Sequence, residues 1–462
     1  MMIVLKGGTV VGSKKSEVLD VAVEGKRIVK IGKDLEIEGA KVVDVSGKLL
    51  FPGFIDTHTH FDLDAGAFHT ADDFATGTRA ALVGGTTCIL DFATQNKGET
   101  LKEALKNWHN KADEVSSCDY GFHMAITEWN DDVRKELEFM RENGVTSYKL
   151  YMAYDNLRVS DNEIYDILKE IKKQGGIIGM HCENGDIVNA KMAENKKAGN
   201  GSISFHPTAR PDIVEAEAIY RYMMIAKMAE APIYVVHLST KKGYDLIMQA
   251  RGEGQSVYME TCPQYLLLDE SKYNLDGFES AKYVMSPPLR KQEDMDCLWD
   301  ALANDDIDFI GTDHCSFNFK GQKDFFGTKE YYKIPNGGPG VEHRGLLLYT
   351  YGVAKNRITK EQMCKQLSEN AAKMFGLYPR KGVIAEGSDA DIVVLDPTQT
   401  TRILAATQEQ NVDYTPYEGI VAACKIEKVF LRGQEVVTDG KISKERQGEY
   451  IPRGKCVEGY EK

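Results

Sequence analysis

Through the middle of the chain, apolar runs of strand length alternate with helical patterns, and this alternation restricts the possible folds more than any other feature. The candidate strands are "FIDTH", "TTCILDFA", "YGFHMAI", "SYKLYMA", "GIIGMHCE", "IYVVHLS", "SVYMETCP" and "FIGTDH". Helical segments such as "DNEIYDILKEIKKQ", "RPDIVEAEAIYRYMMIAKMAE" and "KQEDMDCLWDALAN" fall between them. The strands are almost continuously apolar, as parallel strands covered by helices should be. Eight strands with intervening helices predict an α/β fold, a (β/α)8 TIM barrel. A doubly wound open sheet is the competing arrangement, since periodicity alone does not separate the two.

Both ends of the chain differ from this middle. "MIVLKGGTVV", "DVAVEGKRIVKIG" and "AKVVDVSGKLL" alternate Val and Ile with charged or Gly-containing turns, and the texture returns in "DADIVVLDP" and "KIEKVFLRGQEVVTDGK". One small β domain assembled from both termini is expected, with 1–52 and 376–442 as its parts and 53–375 as the barrel. The polar segment 443–462 is expected to be an extended C-terminal tail, loosely ordered or reaching a neighbouring subunit.

The 462 residues carry a net charge of -13. That balance argues against nucleic-acid and anionic-membrane partners but not against a small neutral substrate. Nine cysteines are scattered without a CxxC pair, which fits a reducing compartment better than a disulfide framework. The N-terminus lacks the pattern of a signal peptide, and no apolar run nears the ~18 residues of a membrane span. A cytoplasmic location is expected.

The predicted strand ends carry side chains that packing does not require. The first ends in His58 and His60, which share a face because strand side chains alternate with period two. Both imidazoles can therefore point into the barrel mouth and share one cation, zinc being well suited. His181 and His237 close the fifth and sixth strands, and Asp313 closes the eighth. Each has a plainer reading: core histidines bonded to carbonyls, and a helix N-cap for Asp313 with His314 in a surface network. Together at the active face of a barrel, they favour a metal site. Asp56 shares the face of His58 and His60 but lies deeper, where it can support them. Lys149 in the fourth strand is either a snorkelling lysine or a desolvated, neutral amine. A neutral amine reacts with carbon dioxide to give a carbamate, an anionic ligand able to bridge two metals.

The motifs "PGFIDTHTH", "YKLYMAY", "MHCEN", "VVHLS", "ETCPQYLLLD", "SPPLR", "GTDHCSF", "PNGGPGVEHR" and "EGSDADIVVLDP" resemble those of the cyclic amidohydrolases, most closely the D-hydantoinase and dihydropyrimidinase group. The resemblance spans nearly the whole chain and implies a metal-bearing barrel with a β-sandwich built from both termini. By resemblance, His58, His60 and Asp313 bind one zinc, His181 and His237 the second, and N6-carboxylated Lys149 bridges them. A hydroxide held between the zinc ions then attacks a ring amide carbonyl. Asp313 takes its proton and passes it to the leaving nitrogen, yielding an N-carbamoyl amino acid. Tyr154 donates to the developing oxyanion, while Ser286 and Asn336 hold the amide edge of the substrate. Glu183 either orients a ligand or begins the next helix. Relatives are commonly homotetramers.

Substrate choice in such enzymes rests on the loops after strands one and four, here "FDLDAGAFHTADDF" and "MAYDNLRVSDNE". Leu63, Met152 and Leu157 are the expected apolar wall for the substituent of a 5-substituted hydantoin. Asp62 stands where dihydroorotases carry an arginine, against that activity. An allantoinase-like ureide hydrolase is the alternative activity. The non-catalytic collapsin response mediator proteins share the fold but have lost metal ligands, whereas all six ligand positions are filled here.

Overall fold

A computed structural model describes residues 2–457 and residue 460. The eight barrel strands run Phe54–Thr59, Thr86–Thr94, Asp119–Ala125, Ser147–Tyr151, Ile177–His181, Ile233–Val235, Val257–Thr261 and Phe309–Ile310, each hydrogen-bonded to the next in sequence order. Every pairing between them is parallel. Closure comes from a parallel bridge between Thr59 and His314, with His60 N donating to His314 O at 2.8 Å. The open, doubly wound alternative is thereby excluded.

The three helical segments read from the sequence form Asp161–Lys173, Asp212–Ala229 and Gln292–Ala303. In the first, Ile164, Ile167, Leu168 and Ile171 recur at helical spacing and are buried against the barrel. Each such side chain contributes roughly 1.5–3 kcal/mol through burial.

Strands from both termini join in one nine-stranded sheet. Leu49–Pro52 pairs with Met2–Val11 on one side and with Ile392–Asp396 on the other, which stitches the two ends together. Leu5, Val21, Leu50, Ile392 and Phe430 lie in the core that this sheet encloses.

The tail departs from expectation. Its described residues, 443–457 and 460, are neither loose nor projecting, and from Gly448 on they run across the N-terminal end of the barrel. Tyr120 N donates to Glu449 O, Ile451 N to Tyr120 O and Cys456 N to Gly175 O, at 3.1, 2.8 and 2.9 Å. Ile451, Arg453, Cys456 and Tyr460 are buried there. The segment's polar composition concealed this because its few buried apolar side chains, Ile451, Cys456 and Tyr460, follow no regular period, and backbone groups and Arg453 supply the hydrogen bonds.

Candidate metal centre

His58 lies in the first strand and His60 one residue past its end, and both turn toward Asp313. His58 Nε2 and His60 Nε2 stand 3.1 and 3.2 Å from Asp313 Oδ1. The three residues form a cluster whose ligand atoms lie within 4.8 Å of one another. His181 is the last residue of the fifth strand, and its Nδ1 faces His237 Nε2 at 2.9 Å. His237 and Asp313 sit just beyond their strands with φ of +39° and +53°, and Tyr154 has φ of +67°. Three non-glycine residues in left-handed backbone at one site mark strain held by the surrounding fold. Asp313 caps no helix: the nearest elements around it are the eighth strand and a loop.

Ligand orientation is set from behind. His58 Nδ1 lies 2.6 Å from Glu260 Oε1, which keeps a proton on Nδ1 and turns Nε2 toward Asp313. Glu260 also accepts from Thr57 Oγ1 at 2.9 Å and His237 N at 3.1 Å. Gly311 permits this approach, since a Cβ there would lie 2.8 Å from Glu260 Oε2 and 2.9 Å from His58 Cβ. Glu183 holds His181: its Oε2 meets His181 Nε2 at 2.8 Å and pairs with Arg210. The helix that follows begins only at Gly185. Sequence reasoning passed over Glu260 and Arg210. The signal for Glu260 was a carboxylate inside the apolar run "SVYMETCP".

The electrostatics match a cation site. Burial pushes the imidazoles of His60, His181 and His237 down, leaving neutral lone pairs. Burial acts the same way on His58, but the Glu260 and Asp313 carboxylates outweigh it and carry the group up to about 9. Positive charge is therefore favoured where His58 and Asp313 meet. Asp313 is held well below the usual carboxylate range because His58 and His60 overcome its desolvation. Despite its closeness to Asp313, buried His58 Nε2 makes no hydrogen bond of acceptable geometry, and neither does His237 Nδ1. Two imidazole nitrogens and a carboxylate oxygen converging with an unpartnered nitrogen suit a divalent ion of borderline softness. Lys149 is buried, with Nζ 5.0 Å from the Phe92 ring centre and 5.4 Å from that of Tyr151. Burial brings its amine down to about 8.

These side chains open into a cavity of about 490 Å³. Tyr154, Ser286 and Asn336 line it, and Asn336 Nδ2 donates to Ser286 Oγ at 2.8 Å. Arg210 stacks over the Tyr154 ring at 5.5 Å. Leu63 and Leu157 line the cavity as expected, whereas Met152 turns into the core. Phe68, Phe317 and Phe326 add an aromatic wall, two of them from the loop after the eighth strand. Asp62 stays outside, bonded to His69 Nδ1 at 2.7 Å. Asp56 supports the site through backbone, accepting from His58 N at 3.2 Å and Thr312 N at 3.1 Å. His314 joins no surface network: it is buried, with Nε2 3.0 Å from Asp72 Oδ2.

A closed (β/α)8 barrel with a histidine–carboxylate cradle at the C-terminal end of its strands is the architecture of a metal-dependent hydrolase. Residues 49–436 match the amidohydrolase family. The chain is 43% identical over 454 residues to a D-hydantoinase of Geobacillus stearothermophilus, covering 98% of this chain and 96% of that one. It is 37% identical to a D-phenylhydantoinase of Escherichia coli O81 (strain ED1a), over 98% of each chain. The crystal structure of a dihydropyrimidinase from Brevibacillus agri NCHU1002 superposes with a TM-score of 0.97 at 42% identity, over 99% of this chain and 100% of that one. The chain belongs to the amidohydrolase family, and within it to the D-hydantoinase group, hydrolases that act on cyclic amides. Family membership implies a binuclear metal centre.

Proposed function

We propose that the protein opens the rings of 5-substituted hydantoins and dihydropyrimidines, giving N-carbamoyl amino acids. The observation that carries this reading is the convergence of neutral His60, His181 and His237 on ionised Asp313, with His58 Nε2 unpartnered beside it, at the floor of a cavity walled by aromatic and aliphatic side chains. His58, His60 and Asp313 would hold one zinc ion, His181 and His237 a second, and Lys149, as N6-carboxylysine, both. When bound, the ions supply Lewis acidity that polarises the ring carbonyl and eases loss of a proton from water.

The chain's own groups do the rest. Asp313 accepts the proton of the attacking water and returns it to the ring nitrogen as the C–N bond breaks. Tyr154, held by Arg210, donates to the carbonyl oxygen as negative charge grows there. Ser286 and Asn336 bind the alternating N–H and C=O groups of the ring. Leu63, Phe68 and Phe326 receive the ring substituent, and apolar selection of about 1–3 kcal/mol per methylene leaves room for several substrates.

The D-hydantoinase relatives support preference for the D form, and the complete ligand set speaks against a non-catalytic role. The barrel at 53–375 would carry this chemistry in a cytoplasmic homotetramer. The free state of all nine cysteines supports a reducing compartment. Among the described residues no helix is long and apolar enough to cross a membrane.

A ring-opening panel tests the proposal, using protein loaded with zinc and bicarbonate. D-phenylhydantoin and dihydrouracil are expected to be hydrolysed faster than L-phenylhydantoin and allantoin. His58→Ala and Lys149→Ala are expected to abolish turnover while preserving the circular dichroism spectrum. Allantoin as the best substrate, or near-normal rates in either variant, would overturn it.

A further inference from the structure

The cavity wall carrying Ser286 and Asn336 consists of two turns, 284–286 and 335–337, joined from behind by a buried lysine. Lys323 is fully enclosed. Its Nζ donates to Val284 O at 3.1 Å, Pro335 O at 3.0 Å and Gly337 O at 2.9 Å. Three carbonyls use all three N–H donors of an ammonium group. The turns also bond directly, Gly337 N to Val284 O at 3.0 Å.

Lys323 arrives on a turn from the loop after the eighth strand, where Gly321 adopts φ of +87° and Lys323 N donates to Asn318 O at 3.0 Å. The neighbouring Gln322 Nε2 donates to His69 O at 2.8 Å, so the turn is anchored to the loop after the first strand as well. A buried ammonium is costly unless its donors are satisfied. Here satisfaction requires the two turns to keep their present spacing, and that spacing sets the distance between Ser286 and Asn336. Burial pushes the amine down to about 7, yet the neutral form has one donor too few for three acceptors.

We propose that Lys323, which does not line the cavity, is a positioning residue that locks the turns bearing Ser286 and Asn336 at the spacing needed to grip the amide edge of the substrate. The proposal rests on the reading of Ser286 and Asn336 as substrate-binding residues. Lys323→Met removes all three donors, and Lys323→Gln retains two. Steady-state kinetics on D-phenylhydantoin and dihydrouracil, zinc content and amide hydrogen exchange are compared with the unsubstituted enzyme. For Lys323→Met, KM is expected to rise about tenfold or more while kcat changes less than about threefold, the pattern of lost uniform binding. Zinc content should be unchanged, exchange should accelerate at 284–286 and 335–338, and Lys323→Gln should fall between. An unchanged KM, a fall confined to kcat, or unaltered exchange in these turns would overturn the proposal. If Lys323→Met does not fold, Lys323→Gln carries the same test. If the unsubstituted enzyme opens neither ring, the functional reading fails by itself, and the exchange comparison still decides the role of Lys323.

Discussion

Glu260 shows most clearly how a single residue shapes the site. One carboxylate holds Nδ1 of His58, the side chain of Thr57 and the backbone of His237, so it ties the first strand to the segment that follows the sixth. Glu260→Gln keeps the volume but loses the charge and presents an amide N–H where a donor already points. Zinc affinity is expected to fall about 10- to 100-fold, the usual effect of losing a carboxylate behind a metal-binding histidine. Zinc retained after dialysis against a graded chelator measures it, and unchanged retention would show that His58 needs no such partner. His58, His60, His181, His237 and Asp313 were legible because polar groups at the ends of apolar strands stand out. Glu260 was not, because its justification lies on the first strand, about two hundred positions away.

Among the elements, the tail departs most from expectation. Arg453 Nη1 donates to Ser147 Oγ at 2.6 Å, and Arg453 Nη2 to the carbonyl of Phe122. Ser147 Oγ lies 2.5 Å from His123 Nδ1, and His123 Nε2 lies 3.1 Å from Thr57 O. The tail is thus wired through the base of the barrel to the strand that bears His58. Arg453→Ala leaves a buried carbonyl without its donor and opens a hole, so a stability loss of about 2–4 kcal/mol is expected. Urea unfolding checks this, and a midpoint shift near zero would mean that the tail only rests on the barrel. The barrel strands themselves were readable, being apolar throughout and of typical length. The left-handed residues His237 and Asp313 were not, because their conformation is imposed by the neighbours they must reach.

At the scale of the whole molecule, buried carboxylates tie the barrel to the β unit. Lys381 Nζ lies 2.7 Å from Asp119 at the start of the third strand, and 2.5 Å from Asp391 beside the terminal sheet. Asp389 joins them at 3.3 Å, so three buried acids surround one lysine. Glu342 makes a second tie, accepting from Glu409 N at 2.7 Å and Gln410 N at 3.1 Å. Burial pushes its carboxyl from 4.5 up to about 8. An acid raised on folding contributes full stability below its unfolded value and loses that contribution as pH rises through the folded one. Glu342→Gln keeps an acceptor oxygen and cannot ionise. It is expected to exceed the unsubstituted protein in stability by about 3–5 kcal/mol at about pH 8.5, and to match it near pH 4.5. Thermal unfolding at both values decides this, and a variant less stable at the higher pH would refute it.

The sequence by itself determined the alternation of eight parallel strands with helices, the union of both termini and the polar residues at the strand ends, because periodicity and polarity are local properties of the chain, whereas closure into a barrel was decided by the bridge from Thr59 to His314. Only the tertiary structure decided which carboxylate backs which histidine, where the tail lies and how Lys323 joins two distant turns. Those depend on partners brought together by closure of the barrel, and the spacing of residues along one chain does not encode such distances.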